Sequence, residues 1–172
     1  MSLQDLANAS IGQGVVEVTP LQVAKLISAV ANGGVVPAPR IVKEIRDPAG
    51  GTARRVDVIP GKRVFEPHVT ALMREMLRDV VRHGTGRQAE VPRWGAAGKT
   101  GTSETGRLTA DGRSITHGWF AGYVPYDDPR LVIVVFDEEG GAGGEDAARA
   151  FGEIAERTCT FLSHAHILNN ES

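Results

Sequence analysis

The segment Gly98-Lys99-Thr100-Gly101-Thr102 concentrates a cation, two hydroxyls and two glycines within five residues. Two kinds of site use a string of this type. A phosphate-cradling loop needs a further glycine five residues before the Gly of Gly-Lys-Thr, a buried strand in front and a helix behind. Here Arg93 occupies that earlier position, Pro92-Arg93-Trp94-Gly95 precedes the string and turn residues follow it. Neither the strand nor the helix N-terminus that would hold phosphate is encoded. The second kind of site binds a carboxylate next to a reacting carbonyl. Lys99 supplies a cation, and Thr100 and Thr102 supply hydroxyl donors, all from one short strand, as a peptide's terminal carboxylate requires. Gly101 lets a substrate approach the backbone with no side chain in the way. Such a strand can take an extended substrate along its edge, and a backbone N–H beyond the glycine can face a developing oxyanion. Taken alone, the string is equally compatible with a turn that exposes a lysine.

Other groups that could do chemistry are more dispersed. The histidines are His68, His83, His117, His164 and His166; the one close pair lies near the C-terminus without a carboxylate-rich partner segment, so no metal site is expected. Asp137-Glu138-Glu139 with Glu145-Asp146 does not have the spacing of an EF-hand loop, and Glu145 and Asp146 suit the first turn of a helix. Arg107 and Arg113 are candidates for selecting an anionic substrate, with solvated surface charges as the alternative. Cys159 is the sole cysteine, set in an apolar helical pattern that suits a buried, inert thiol. No cofactor is expected. The net charge of -2 and the scatter of basic residues provide no field for nucleic acid.

Positioning these groups calls for a scaffold, and 172 residues suffice for one domain with its own core. Thr19-Pro20-Leu21-Gln22 has the parts of a capping box and predicts a helix to about Asn32, stopped by Gly33-Gly34. Its few polar positions predict burial on more than one side. The runs Ile41 to Ile45 and Arg54 to Val58 flank a turn at Asp47 to Gly51, predicting a peripheral hairpin. After Pro67, the spacing of Val69, Leu72, Met73, Met76, Leu77, Val80 and Val81 predicts an amphipathic helix that ends near Gly84 or Gly86. Glu104 to Thr116, polar and containing Gly106 and Gly112, reads as a loop. Trp119 to Val124 and Leu131 to Phe136 read as an antiparallel strand pair, the second central. Gly140 to Gly144 opens a last helix whose buried stripe is Ala147, Ala148, Phe151, Ile154, Ala155 and Leu162, and from Ser163 the chain reads as a tail. Helices and strands in blocks give an α+β class, an antiparallel sheet with packed helices. The longest apolar run, Leu131 to Phe136, is far short of a membrane span.

The order of short motifs adds a second line of inference. Ser10-Ile11-Gly12-Gln13-Gly14, Val18-Thr19-Pro20-Leu21-Gln22, Ala31-Asn32-Gly33-Gly34, Gly84-Thr85-Gly86, Gly98 to Thr102, Trp119 to Pro125 and Gly143-Gly144 follow one another through nearly the whole chain. In this order and spacing the sequence resembles class B penicillin-binding proteins. The resemblance implies the penicillin-binding and β-lactamase-like serine acyltransferase fold, with residues 10–162 as the C-terminal part of a transpeptidase domain, 1–9 as a leader or lead-in and 163–172 as a tail.

The activity so implied is that of a peptidoglycan D,D-transpeptidase, which cross-links stem peptides and is acylated by β-lactams. A serine attacks the D-Ala-D-Ala carbonyl, D-Ala leaves, and an amine of a neighbouring strand resolves the acyl-enzyme. Carried onto this sequence, the resemblance makes Lys99 the residue that orients substrate and touches the serine of the family's second motif. Thr100 and Thr102 hold the carboxylate, and the Thr102 backbone N–H is half of the oxyanion hole. Implied partners are the stem peptide, β-lactams, the N-terminal part of the same domain and other cell-wall synthesis proteins, and the implied location is the extracytoplasmic face of the bacterial cell membrane.

No Ser or Thr here has Lys three residues later, and no Ser has Asn two residues later. The family's nucleophile motif and its second motif are therefore absent, the sequence reads as truncated, and the chain alone is expected to be inactive. Two alternatives to the transpeptidase are a β-lactam sensor or β-lactamase-like relative, and a non-catalytic interaction module on the same fold. The Gly-Gln-Gly and Thr-Pro-Leu-Gln segments weigh against the first.

Overall fold

The computed structural model describes residues 2–14, 16–140 and 144–165. Its first element, helix α1 (Leu3–Ser10), lies in a segment where no element is expected from the sequence. Ser2 and Asp5 form a capping box, and the hydrogen bonds from Ser2, its backbone N–H first, hold the Asp5 carboxyl below its ordinary range. No residue of α1 is buried.

Helix α2 (Pro20–Ala31) begins as its signature requires: Thr19 Oγ1 accepts from the Gln22 N–H, and Gln22 Oε1 accepts from the Thr19 N–H at 2.7 Å. It ends in a Schellman arrangement, with the Gly34 N–H donating to Ala29 O at 2.7 Å. Burial departs from expectation, because only the C-terminal half is covered, at Ile27, Ala29, Val30 and Ala31, while Leu21 and Leu26 are exposed. The second half alone holds fully buried positions, although Val23 of the first half also packs against the sheet core. Thr19→Ala is expected to lower stability by about 1 kcal/mol through loss of the cap, read as a shift of the urea transition; an unshifted transition would show that this helix start contributes nothing.

Beyond α2, β1 (Val35–Val36), β2 (Glu44–Arg46), β3 (Thr52–Arg55) and β4 (Lys62–Arg63) form two small ribbons, β1 with β4 and β2 with β3. The β2–β3 hairpin is peripheral as expected but shorter, since no layer covers Ile41, Val42 or Val58, all exposed.

Helix α3 (Pro67–His83) has the expected extent and a rotated face. Thr70, Met73, Arg74, Leu77, Arg78 and Val81 turn inward, whereas Val69, Leu72 and Met76 of the predicted stripe are exposed. The two arginines explain the rotation. Arg74 donates to Tyr126 O at 2.7 Å, Arg78 donates to Ala96 O at 2.7 Å and Glu90 at 2.6 Å, and both guanidiniums lie over the Tyr126 ring. Their apolar stems pack while their ends are satisfied, which a polar-versus-apolar reading cannot register. Burial raises the Tyr123 phenol above its usual range, partly opposed by the Arg74 hydrogen bond.

The main sheet has strand order β5-β6-β7, all antiparallel: β5 (Ala97–Leu108), β6 (Ser114–Val124) and β7 (Leu131–Asp137). Two expectations are corrected here. Glu104 to Thr116 is mostly not a loop: β5 and β6 continue as a two-stranded arm to a turn at residues 109–113, with a register shift between Glu104 and Leu108 around Gly106. Backbone pairing and local bonds hold this arm where apolar content is low, for example Thr105 Oγ1 to Ile115 O at 2.7 Å and the Thr109 N–H to Arg113 O at 2.8 Å. Secondly, the central strand is β6, not β7. Among the described residues β7 is an edge strand, and its apolar run reflects cover by helices on both faces.

Period-two alternation sorts the two cores. Ala97, Ala121, Tyr123, Val132 and Val134 face Ile27 and Ala31 of α2. Phe120, Val124, Leu131, Ile133 and Val135 face the last helix, α4 (Glu145–His164), at Ala147, Ala148, Phe151 and Ala155. Cys159 is buried there, and desolvation raises its thiol pKa, as an inert core thiol requires. Ile154, assigned to the buried stripe, is half exposed, and the helix runs two residues into the predicted tail. The remaining tail from 166 and the Gly143 motif position lie outside the described residues. The α+β class with helices packed on an antiparallel sheet holds.

Candidate active-site groove

Gly98 to Thr102 lies wholly within β5, at the sheet edge opposite β7. Beside this edge runs a groove of about 610 Å³, walled by residues Lys99, Thr100, Gly101, Thr102 and Ser103, floored by Trp119 and Ala121, and bounded by Val23 and residues of 11–18. All four sequence-predicted site residues, Lys99, Thr100, Gly101 and Thr102, line it.

The strand aims its backbone at the groove. Lys99 Nζ donates to Thr100 O at 3.0 Å and to Thr100 Oγ1 at 3.1 Å, and Gln13 Nε2 donates to Thr102 O at 2.7 Å. Alternate residues of an antiparallel strand direct both N–H and C=O to the same side, so the Thr102 N–H faces the open edge with its carbonyl. The wall thus combines an ammonium, two hydroxyls and a backbone amide, a set that can hold a carboxylate at one end and an oxyanion at the other.

Two glycines keep the wall close to its neighbours. A Cβ at Gly101 would stand 3.2 Å from Trp119 Cβ, on the groove side of the sheet. Behind the wall, Gly144 caps α4 with φ of 62°, and a Cβ there would lie 2.8 Å from Trp119 O and 3.1 Å from Gly101 O. Helix α4 therefore seats its first turn directly against the site strand.

Sequence reasoning missed several participants. Gln13, Glu17, Thr85 and Trp119 had no assigned role, yet Gln13 bonds Thr102, Thr85 Oγ1 lies 2.7 Å from Thr100 Oγ1, and Glu17 and Trp119 line the groove. Gln13, Thr85 and Trp119 stand in short motifs already noted, which was the available signal; Glu17 had none. Other candidates are not at the groove's reactive edge. Arg107 pairs with Glu139, and Arg113 pairs with Asp111, whose carboxyl is held low by bonds from Thr109 and Arg113. His117 Nδ1 accepts from the Glu139 N–H at 3.0 Å, His83 lies 3.6 Å from Asp79, and His164 bonds Thr160 O. His166 lies outside the described residues. Among the described residues no three His, Cys, Asp or Glu side chains converge on a metal-sized site.

The sequence profile of the penicillin binding protein transpeptidase domain matches residues 3–156. This chain belongs to the penicillin-binding protein transpeptidase family. Its relatives are of class B. Penicillin-binding protein PbpB of Mycolicibacterium smegmatis is 39% identical over 166 residues, covering 87% of this chain and 25% of that protein. Peptidoglycan D,D-transpeptidase MrdA of Acinetobacter baumannii is 34% identical over 155 residues, covering 83% of this chain and 23% of that protein. Among solved structures, penicillin-binding protein A from M. tuberculosis, as its imipenem acyl-enzyme, superposes with a TM-score of 0.76 at 26% identity, covering 89% of this chain and 34% of that one. This transpeptidase-family chain therefore spans about a quarter of the length of these two curated relatives.

Proposed function

We propose that this chain forms one wall of the acyl-transfer site of a peptidoglycan D,D-transpeptidase that is also acylated by β-lactams. The observation that carries the reading is the convergence of Lys99 Nζ, the Thr100 hydroxyl and the Thr102 backbone on one open strand edge beside a groove. The names of the relatives, peptidoglycan D,D-transpeptidase and penicillin-binding protein, support it over a sensor, a β-lactamase-like enzyme or a non-catalytic module. So does the relative solved as a β-lactam acyl-enzyme.

In this reading a stem peptide lies along β5 with its terminal D-Ala carboxylate between Lys99, Thr100 and Thr102. A serine from chain outside these residues attacks the penultimate D-Ala carbonyl, and the oxygen that becomes negative is met by the Thr102 N–H. The C–N bond breaks, the leaving D-Ala amine takes a proton, and the acyl group stays on the serine as an ester. An acceptor amine then attacks that ester, forms the cross-link and returns the proton to the serine. The proposed setting is the extracytoplasmic face of a bacterial cell membrane.

The test is intact mass and peptide mapping after incubation with penicillin. The full-length protein is expected to gain one penicilloyl increment on a serine outside these 172 residues, and this chain alone none. An adduct mapped within the chain, or none on the full-length protein, would overturn the reading.

A further inference from the structure

Thr85 stands in the Gly84-Thr85-Gly86 turn that ends α3, and this turn is wedged under the site strand. Gly86 is buried, its N–H donates to Val80 O at 3.0 Å, and a Cβ on it would meet the Phe120 ring at 3.1 Å. That seating brings Thr85 Oγ1 to 2.7 Å from Thr100 Oγ1, and either hydroxyl can be the donor. Thr100 Oγ1 also accepts from Lys99 Nζ at 3.1 Å.

Counting protons decides between the two directions. A hydroxyl has one proton and two acceptor lone pairs, and an ammonium only donates. If Thr100 gives its proton to Thr85, it has none left for a ligand. If Thr85 donates instead, Lys99 and Thr85 together fill both acceptor sites of Thr100, and its one proton is free to point at the open edge of β5. A carboxylate only accepts, so its arrival favours the second arrangement. We infer that Thr85 is a positioning residue for carboxylate recognition: its hydroxyl donates to Thr100 and turns the Thr100 O–H toward the ligand. This rests on the proposed function, because that reading places the carboxylate at Thr100.

The experiment uses the full-length protein and measures acylation by a fluorescent penicillin and by the methyl ester of the same penicillin. Thr85→Val keeps shape and removes the donor; it is expected to reduce acylation efficiency roughly three- to ten-fold, through weaker initial binding and with little change in the acylation step itself. Thr85→Ser should stay within about two-fold of wild type, since it keeps the donor. The effect of Thr85→Val should vanish in a Thr100→Val background and with the methyl ester, results that a merely structural role for Thr85 would not give. Wild-type acylation by Thr85→Val, or an equal loss with ester and acid, overturns the inference. If Thr85→Val does not fold, Thr85→Ala is read by the same criteria. Lys99→Ala and Thr100→Val separate the two claims: if both acylate normally, the reading of the wall fails, whereas if both are slow and Thr85→Val is not, only the role of Thr85 fails.

Discussion

Lys99→Ala in the full-length protein is expected to slow acylation by penicillin about ten- to a hundred-fold, with the adduct still on the serine that the proposed function places outside this chain. The ammonium sits at the open edge of β5, with Thr100 as its hydrogen-bonding partner in the free protein. A charge-assisted bond to a substrate carboxylate contributes roughly 1.5–3 kcal/mol, and each 1.4 kcal/mol is about a factor of ten in rate. Lys99→Arg is expected to keep part of the rate, because the charge survives while the planar fork and its bulk differ from an ammonium. The measurement is the second-order rate constant with a fluorescent penicillin, followed by peptide mapping. A wild-type rate for Lys99→Ala would reduce this segment to an ordinary strand and sink the site assignment.

The second large effect concerns the layer beneath that wall. Phe120 is fully buried, pairs in register with Thr100, and meets Phe151 of α4 at 4.7 Å between ring centroids. A Cβ on Gly98 would lie 2.7 Å from its ring, so Phe120 is the surface on which the start of the site strand rests. Deleting such a ring and leaving the cavity costs about 3–5 kcal/mol, a large share of the 5–15 kcal/mol by which a domain of ordinary stability stays folded. Phe120→Ala is therefore expected to move the urea midpoint of the transpeptidase domain sharply downward, and acylation should fall with it. Phe136 provides the contrast. It meets Trp119 in a tilted ring contact at 4.5 Å between centroids but is 41% exposed, so Phe136→Ala should cost well under half as much. Equal shifts for the two variants would mean that the α4 face of β6 is not the core that supports β5.

Local chemistry was legible wherever one short segment fixes its own geometry. The capping box at Thr19, the glycine stop after α2, the Pro67 start of α3 and the strands around Trp119 and Leu131 each follow from residues within a few positions of one another. The string Gly98 to Thr102 was legible as a candidate site too, because glycine, lysine and threonine limit what chemistry the segment can do. Ordered motifs then pointed to the family through which that chemistry is read. Where a reading depended on which face a partner covers, it held for most of the α4 stripe and failed for part of α3. The apolar stripe of α3 at Val69, Leu72 and Met76 is exposed because Arg74 and Arg78 can pack their stems and bond carbonyls only in the folded chain. The polar arm beyond Glu104 is a hairpin because pairing between β5 and β6 supplies what side chains do not.

The sequence by itself determined the α+β class, the starts of α2, α3 and α4 and the four candidate residues of β5, since each depends on local backbone preference or on side-chain chemistry. Only the tertiary structure decided that β6 is central, that β5 has an open edge, and that Gln13 and Thr85, 89 and 15 residues from their partners, reach Thr102 and Thr100. Those facts depend on contacts between distant segments, whose geometry is set by how the helices and the sheet pack and is written in no single stretch of residues.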